Sequence, residues 1–391
     1  MTIHRGWNFL MTPGPTNIPS QVLSAMNRPA LEYAGPEFIS LSKQVHDDIK
    51  KIFCTKHEVY MYAANGHGAW EAALSNTLSP GDTVLVPGTG EFSTGWSDMA
   101  KSLQLNSIYL ESDWRHGINP SEVKRHLLQD SKHKIKAVLM VHTDTATGVT
   151  SDIEAVRDAM DSAKHSALLM VDTVASLVTT LYKMDDWGVD VTVAGCQKGI
   201  MMPPGMSFNA VSPKALEFAA KSSMPRNYWD WSSRRGEIHY KWYCGTGPIN
   251  MIFGLREAID MILEEGLEKA AERHGRLADG VRAAIRKWAE RGEMELNALA
   301  ESEQANSVST IIVSDKINVK SLVNFTREKY NVALSHGLGK LEGKSFRIGH
   351  MGYVNEAMVL GALGSIEMSF RALGIPHGPG GVMAAIEEFS A

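Results

Sequence analysis

The feature that most restricts the fold of this chain is a series of short, unbroken apolar runs, separated by amphipathic stretches, across its first two thirds. The runs 83–87, 137–141, 167–172 and 189–194 do not alternate apolar with polar residues. A strand with one wet face alternates, so continuous runs of this length predict strands covered on both faces. Strands of that kind interleaved with helical segments predict a parallel sheet flanked by helices. Between the second and third runs, Ser151-Asp152-Ile153-Glu154 reads as a capping box, with the serine hydroxyl and glutamate carboxylate satisfying the free amides of a helix start. The helix is expected to run to about Lys164, with Ile153, Val156, Ala159 and Met160 on one face.

From about Met251 the composition shifts to helix formers, and 264–292 is rich in Ala, Glu, Arg and Leu. This stretch is expected to carry the chain from one domain to the next, with the boundary near 260–270. Strand-like segments follow at 307–313 and 345–348, and a turn-rich connector beginning at Ile375 precedes a last short helix. A length of 391 residues suits more than one domain. The expected division is an N-terminal arm over 1–21, a large α/β domain over 22–262 and a smaller C-terminal α+β domain over 263–391.

A net charge of −5 without a basic cluster gives no footprint for a nucleic-acid or membrane partner. Arg234-Arg235 reads as part of a solvated loop. Cys54, Cys196 and Cys244 are widely separated, form no CxxC pair and are odd in number, so the expected compartment is reducing and cytoplasmic. Met1 to Trp7 lacks the apolar run of a signal peptide, and no apolar run approaches the ~18 residues of a membrane-spanning helix. The fourteen histidines show no HExxH or other compact ligand spacing, so no metal is expected.

Ligands of parallel sheets gather at the carboxyl ends of the strands. Asp172 closes one apolar run, and Lys198 follows the next by a short loop, 26 positions later. That spacing leaves room for one helical or irregular crossover between neighbouring strands. Singly, such an aspartate is usually a turn former and such a lysine usually solvated. Together they suit pyridoxal 5′-phosphate (PLP), in which a carboxylate keeps the pyridine nitrogen protonated and a lysine amine forms the Schiff base.

The surrounding sequence resembles the class V aminotransferases, most of all their alanine–glyoxylate and serine–glyoxylate branch. The resemblance rests on Val171-Asp172-Thr173-Val174-Ala175-Ser176, Ala194-Gly195-Cys196-Gln197-Lys198-Gly199 and Pro203-Pro204-Gly205, and extends from Pro13-Gly14-Pro15-Thr16 to Arg347-Ile348-Gly349-His350. It implies PLP fold type I, with a mainly parallel seven-stranded sheet in the large domain. It also implies a homodimer, with a tetramer open, whose active sites lie between subunits. Lys198 and Asp172 become the catalytic pair. Asn65, Gly66 and His67 become the phosphate-binding turn, His67 through its backbone or packing only. Phe92 is placed against the pyridine face, Thr145 near the phenolic oxygen and the substrate, and Gln197 near the phosphate. Tyr243 and Thr246 are expected to reach the neighbouring subunit's phosphate. Arg347 is the expected grip on a substrate α-carboxylate, with Gly14 close to the same substrate.

The implied activity is ping-pong transfer of an amino group from a small amino acid, serine or alanine favoured, to glyoxylate or pyruvate. Two departures from the branch bear on substrate choice. Thr143-Asp144 stands where serine-using members usually carry Asn-Glu, and Tyr33-Ala34 replaces more polar neighbours. The aromatic, basic segment 228–241, with Trp229, Trp231, Arg234 and Arg235, reads as a surface flap or a rim recognising a second anionic group. Alternatives are a pyridoxamine–pyruvate type of aminotransferase or another PLP-dependent lyase. A cysteine desulfurase is disfavoured because no cysteine follows Cys244.

Overall fold

The computed structural model describes residues 6–236 and 239–391. Its large sheet contains β1 (Glu58–Tyr62), β2 (Thr83–Pro87), β3 (Asn106–Leu110), β4 (Ile135–Val141), β5 (Leu168–Asp172), β6 (Val191–Gly195) and β7 (Ser207–Val211). Their spatial order is β1-β7-β6-β5-β4-β2-β3. Only β7 runs against its neighbours; the other pairings are parallel. Both faces are dry, as the continuous apolar runs require. Val138, Met140, Leu169 and Val171 pack into one core, while Leu139, Val141, Leu168 and Met170 pack into the core on the opposite face.

The four strands read from the sequence are present, with ends shifted by up to two residues. Three others carry weaker signals. Strand β7 contains Asn209, whose burial is made tolerable by bonds from Tyr62 Oη (3.0 Å) and to the Ala69 carbonyl (3.2 Å). Strand β3 lies at the sheet edge and is half exposed.

The second sheet is antiparallel, in the order β8 (Met294–Leu296), β9 (Val308–Val313), β11 (Ser345–Gly349) and β10 (Ser335–His336). It shares a core with Trp288, Phe346, Phe370 and the helices Leu267–Ala289, Glu356–Ala372 and Gly381–Ser390. Helix Ile249–Glu265 stops at Gly266, whose φ of +86° breaks the chain direction before Leu267–Ala289 begins. Gly280 lets that long helix meet the last one, because a Cβ there would lie 2.3 Å from the Phe389 ring.

The segment after Gly6 ties the two sheets together. Phe9–Leu10 pairs in parallel with Val332–Ala333, and Gly349 N donates to the Met11 carbonyl (2.7 Å). The chain then reaches the large sheet, where Thr16 Oγ1 donates to the Lys198 carbonyl (3.2 Å).

One local expectation is corrected. The helix Ile153–Ser162 is capped by Asp152, which accepts from Ala155 N (2.9 Å), not by a Ser151–Glu154 box. Ser151 is buried and accepts from Ile118 N instead (3.1 Å), while Glu154 faces solvent. The tertiary contact outbids the local one because Ile118 N is itself buried. Asp152→Ala is expected to cost about 1 kcal/mol and Glu154→Ala less than about 0.5 kcal/mol, read from urea unfolding of the cofactor-free protein. Equal losses would reinstate the capping box.

Candidate active site

Parallel pairing of β5 with β6 sets Asp172 opposite Val193, and the connecting residues 173–190 cross over without a helix. Strand β6 then runs out through Gly195 to Lys198, so both side chains emerge at the same sheet edge. A cavity of about 260 Å³ opens there. Nine of the residues expected from the sequence line it: Gly14, Asn65, Gly66, His67, Phe92, Thr145, Asp172, Gln197 and Lys198. Trp70, Thr143, Val174 and Ala175 line it as well.

Asp172 is buried, and each carboxylate oxygen accepts one hydrogen bond, from Val174 N (2.7 Å) and from Trp70 Nε1 (2.8 Å). Burial nevertheless pushes its carboxyl up to about 7, against these donors and the nearby Lys198. The sequence reading missed Trp70. It lies four residues beyond Gly66, one turn into the helix Gly66–Thr77, and could have been found by projecting that helix onto its cavity-facing side. Its ring is stacked on Trp96, with centroids 5.5 Å apart and planes 11° from parallel.

The Lys198 amine is buried and donates to the Pro13 carbonyl. Burial and the Arg347 charge bring it down to about 8, while Asp172 and Asp144 oppose the shift. Glycine is required at position 14: φ is +110°, and a Cβ would lie 2.5 Å from Lys198 Cε. Arg347 projects from β11, donating Nε to the His336 carbonyl (2.8 Å) and Nη1 to the Thr145 carbonyl (2.9 Å). Its Nη2 makes no hydrogen bond among the described residues.

The helix Gly66–Thr77 points its N-terminus at the cavity, with Asn65 as cap accepting from Gly68 N (3.4 Å). The Gly66 and His67 amides at that end have no intrahelical acceptor, and the helix dipole favours an anion there. His67 packs its ring 4.6 Å from Trp70, and burial lowers its pKa, which suits a packing role. Phe92 stands edge-on to Trp70 (6.3 Å, 68°).

Four expected residues do not line this cavity: Arg347, which borders it through the Thr145 carbonyl, and Tyr33, Tyr243 and Thr246. Tyr33 lies against Tyr240 (6.0 Å), with its carbonyl bonded to His239. Tyr243 is buried beside Phe38 (6.4 Å) and His46 (5.9 Å), its hydroxyl without a hydrogen-bond partner among the described residues. Thr246 is exposed. The segment 228–241, of which Glu237 and Ile238 lie outside the described residues, is largely exposed as a surface flap would be, but the reading is corrected at Trp231 and Arg234. Trp231 is buried, stacked on Tyr60 (5.3 Å, 7°) and donating to Tyr62 Oη (2.7 Å). Arg234 is buried too, its guanidinium donating to the carbonyls of Met61, Tyr228 and Trp242. Arg235 donates to Tyr60 Oη (2.9 Å), and none of these side chains enters the cavity lining.

A buried carboxylate with no cationic hydrogen-bond partner, a buried amine of lowered pKa and unpaired helix-start amides suit a ligand with three features. These are a protonatable ring nitrogen, a carbonyl and a phosphate. Residues 8–342 match the family model described as aminotransferase class-V. The chain is a class-V aminotransferase. The enzyme is 40% identical to serine–glyoxylate aminotransferase of Methylorubrum extorquens, over 98% of this chain and 96% of that one. It is 39% identical to L-aspartate–glyoxylate aminotransferase of Paracoccus denitrificans, over 97% and 96% of the two chains. Its fold, PLP fold type I, matches that of ureidoglycine–glyoxylate aminotransferase from Bacillus subtilis, with a TM-score of 0.90 and 26% identity over the whole of both chains. The fold also matches pyridoxamine–pyruvate aminotransferase from Mesorhizobium loti, again with a TM-score of 0.90 and 26% identity, covering 100% of this chain and 99% of that one.

Trp70→Phe keeps an aromatic ring against Trp96 but removes a charge-assisted bond to Asp172. It is expected to weaken PLP binding by roughly 10-fold or more, measured by titrating the cofactor-free aminotransferase. Unchanged affinity would reduce the indole to packing.

Proposed function

We propose that this aminotransferase moves the amino group of a small amino acid, serine or alanine favoured, to glyoxylate or pyruvate in a ping-pong cycle, with PLP as cofactor. The observation that carries the reading is the meeting of Asp172 and Lys198 in one cavity, with Arg347 bonded to the carbonyl of the lining residue Thr145. The substrates of the two glyoxylate-using relatives support the acceptor. In this reading Lys198 carries PLP, Asp172 faces the ring nitrogen, and Asn65, Gly66, His67 and Gln197 hold the phosphate. Phe92 and Thr145 fix the ring, and Tyr243 and Thr246 act on the site of a second subunit. Bound PLP supplies an electron sink that retains the amino group between the two half-reactions.

The protein's own residues then have defined tasks. The uncommitted Nη2 side of Arg347 meets the substrate α-carboxylate, with the Gly14 backbone and Thr145 bordering the same space. Once displaced by substrate, the Lys198 amine takes the α-proton and later returns it. A pKa brought down to about 8 by burial and Arg347 leaves a useful fraction of this amine unprotonated near neutral pH. Asp172 keeps the ring nitrogen protonated as negative charge develops.

The proposal includes the division into an arm over 1–21, a large domain over 22–262 and a small domain over 263–391, supported by the separate cores and the break at Gly266. It includes a homodimer with shared sites, possible tetramerisation being decided by solution mass, supported by the unpartnered Tyr243 hydroxyl. It also includes a cytoplasmic location, supported by three free cysteines, with no nucleic-acid or membrane partner. No helix among the described residues is long and apolar enough to cross a membrane, and no group of metal-ligating side chains is found among them.

The deciding experiment is a visible spectrum of the PLP-loaded protein titrated with single amino acids. The band of lysine-bound cofactor is expected to bleach with the true donor and return with glyoxylate or pyruvate. Failure to retain PLP, together with conversion of free pyridoxamine and pyruvate to pyridoxal and alanine, would favour the pyridoxamine–pyruvate alternative. Lys198→Ala is expected to abolish both band and turnover, and a variant retaining them would remove the lysine from its assigned role. Arg347→Lys is expected to keep the band and raise the donor KM by roughly 10-fold or more. Unchanged kinetics would make Arg347 structural.

A further inference from the structure

Asp144 stands just outside the cavity, between the two lining residues Thr143 and Thr145. Its carboxylate is fully buried and serves two separate segments. One oxygen accepts from Phe92 N (2.9 Å) and Ser93 N (3.3 Å), and the other from Ala146 N (2.9 Å). The first segment is the start of the helix Glu91–Ser102, which carries the Phe92 ring. The second is the turn that carries Thr145, whose carbonyl receives Arg347 Nη1 (2.9 Å). The turn is tied back to the first segment, because Thr147 Oγ1 donates to the Thr89 carbonyl (3.1 Å).

An ordinary helix start is capped from the preceding residue. Here that residue is Gly90, which has no polar side chain, and the anion arrives from a turn more than fifty positions later. Gly90 leaves it room: a Cβ there would lie 2.4 Å from Asp144 Cγ. Three amide donors on one carboxylate, two of them at a helix N-terminus, form a charge-assisted set that a neutral side chain cannot reproduce. Asparagine offers only one oxygen and would turn an N–H toward at least one of the donors.

We propose that Asp144 is a positioning residue for amino transfer, a buried anionic clamp that fixes Phe92, Thr145 and Arg347 relative to one another. The inference rests on reading the cavity as the PLP site, and it adds a residue that touches neither cofactor nor substrate. Its action is geometric. Phe92 and Thr145 border the ring from different segments, and Arg347 sets the substrate carboxylate. Releasing the clamp lets the three drift independently, and displacements near 1 Å are enough to cost about 100-fold in such sites.

The test uses PLP-loaded Asp144→Asn and Asp144→Ala proteins beside the wild type. Both are expected to keep the visible band but lose part of the circular dichroism that a fixed protein environment imposes on bound PLP. The donor KM is expected to rise about 10-fold or more in each. In an Arg347→Lys background, Asp144→Asn is expected to raise KM by a clearly smaller factor than in the wild type, because one of the three groups it positions is already altered. Wild-type dichroism and KM with only a lowered unfolding temperature would make Asp144 a helix cap and overturn the proposal. Full additivity with Arg347→Lys would overturn it too. If the alanine variant does not fold, the asparagine variant, nearly equal in volume, decides. A wild type that binds no PLP, or whose band no amino acid bleaches, would instead refute the reading of the site, so the two failures are separable.

Discussion

The arrangement of the whole molecule follows from keeping one amine and two carboxylates ionisable away from water. Lys198, Asp172 and Asp144 are all buried, and a buried charge is tolerated only where fixed dipoles or opposite charges surround it. Each of the three is met by such groups. The Pro13 carbonyl takes the amine, Val174 N and Trp70 Nε1 take one carboxylate, and three backbone amides take the other. Five separate chain segments supply these partners. A sheet dry on both faces is what keeps so many segments in register.

Much of this was legible before any coordinates. Continuous apolar runs specified strands with two covered faces, and Asp172, at the end of one, and Lys198, just beyond another, line the cavity. The strands that escaped notice were those whose polarity is resolved only in three dimensions. Asn209 reads as a strand breaker until Tyr62 and Ala69 are beside it. Ser151 fits a local cap until Ile118 N competes for its hydroxyl. Local sequence lists the groups that can bond; only the fold decides which of two valid partners is reached first.

The site shows the same division. Residues inside recognisable motifs line the cavity, whereas Trp70 and Asp144 matter through bonds to residues 102 and 51 or more positions away. Tyr33, Tyr243 and Thr246 mark the other limit. None of the three lines the cavity, although all were expected from the same motifs that place its lining residues.

The path of residues 9–16 has a consequence for how the protein is made. This segment is made more than 300 residues before its partners Val332, Ala333 and Gly349. The carbonyl that receives the Lys198 amine therefore has no fixed position until residue 349 has been made. Contacts of such large sequence separation close slowly, because the intervening loop must first surrender its entropy. The large sheet can assemble earlier from its own strands, but the lysine environment is finished last. A nascent chain thus carries the Lys198 amine without its final shelter from the synthesis of that residue until that of Gly349.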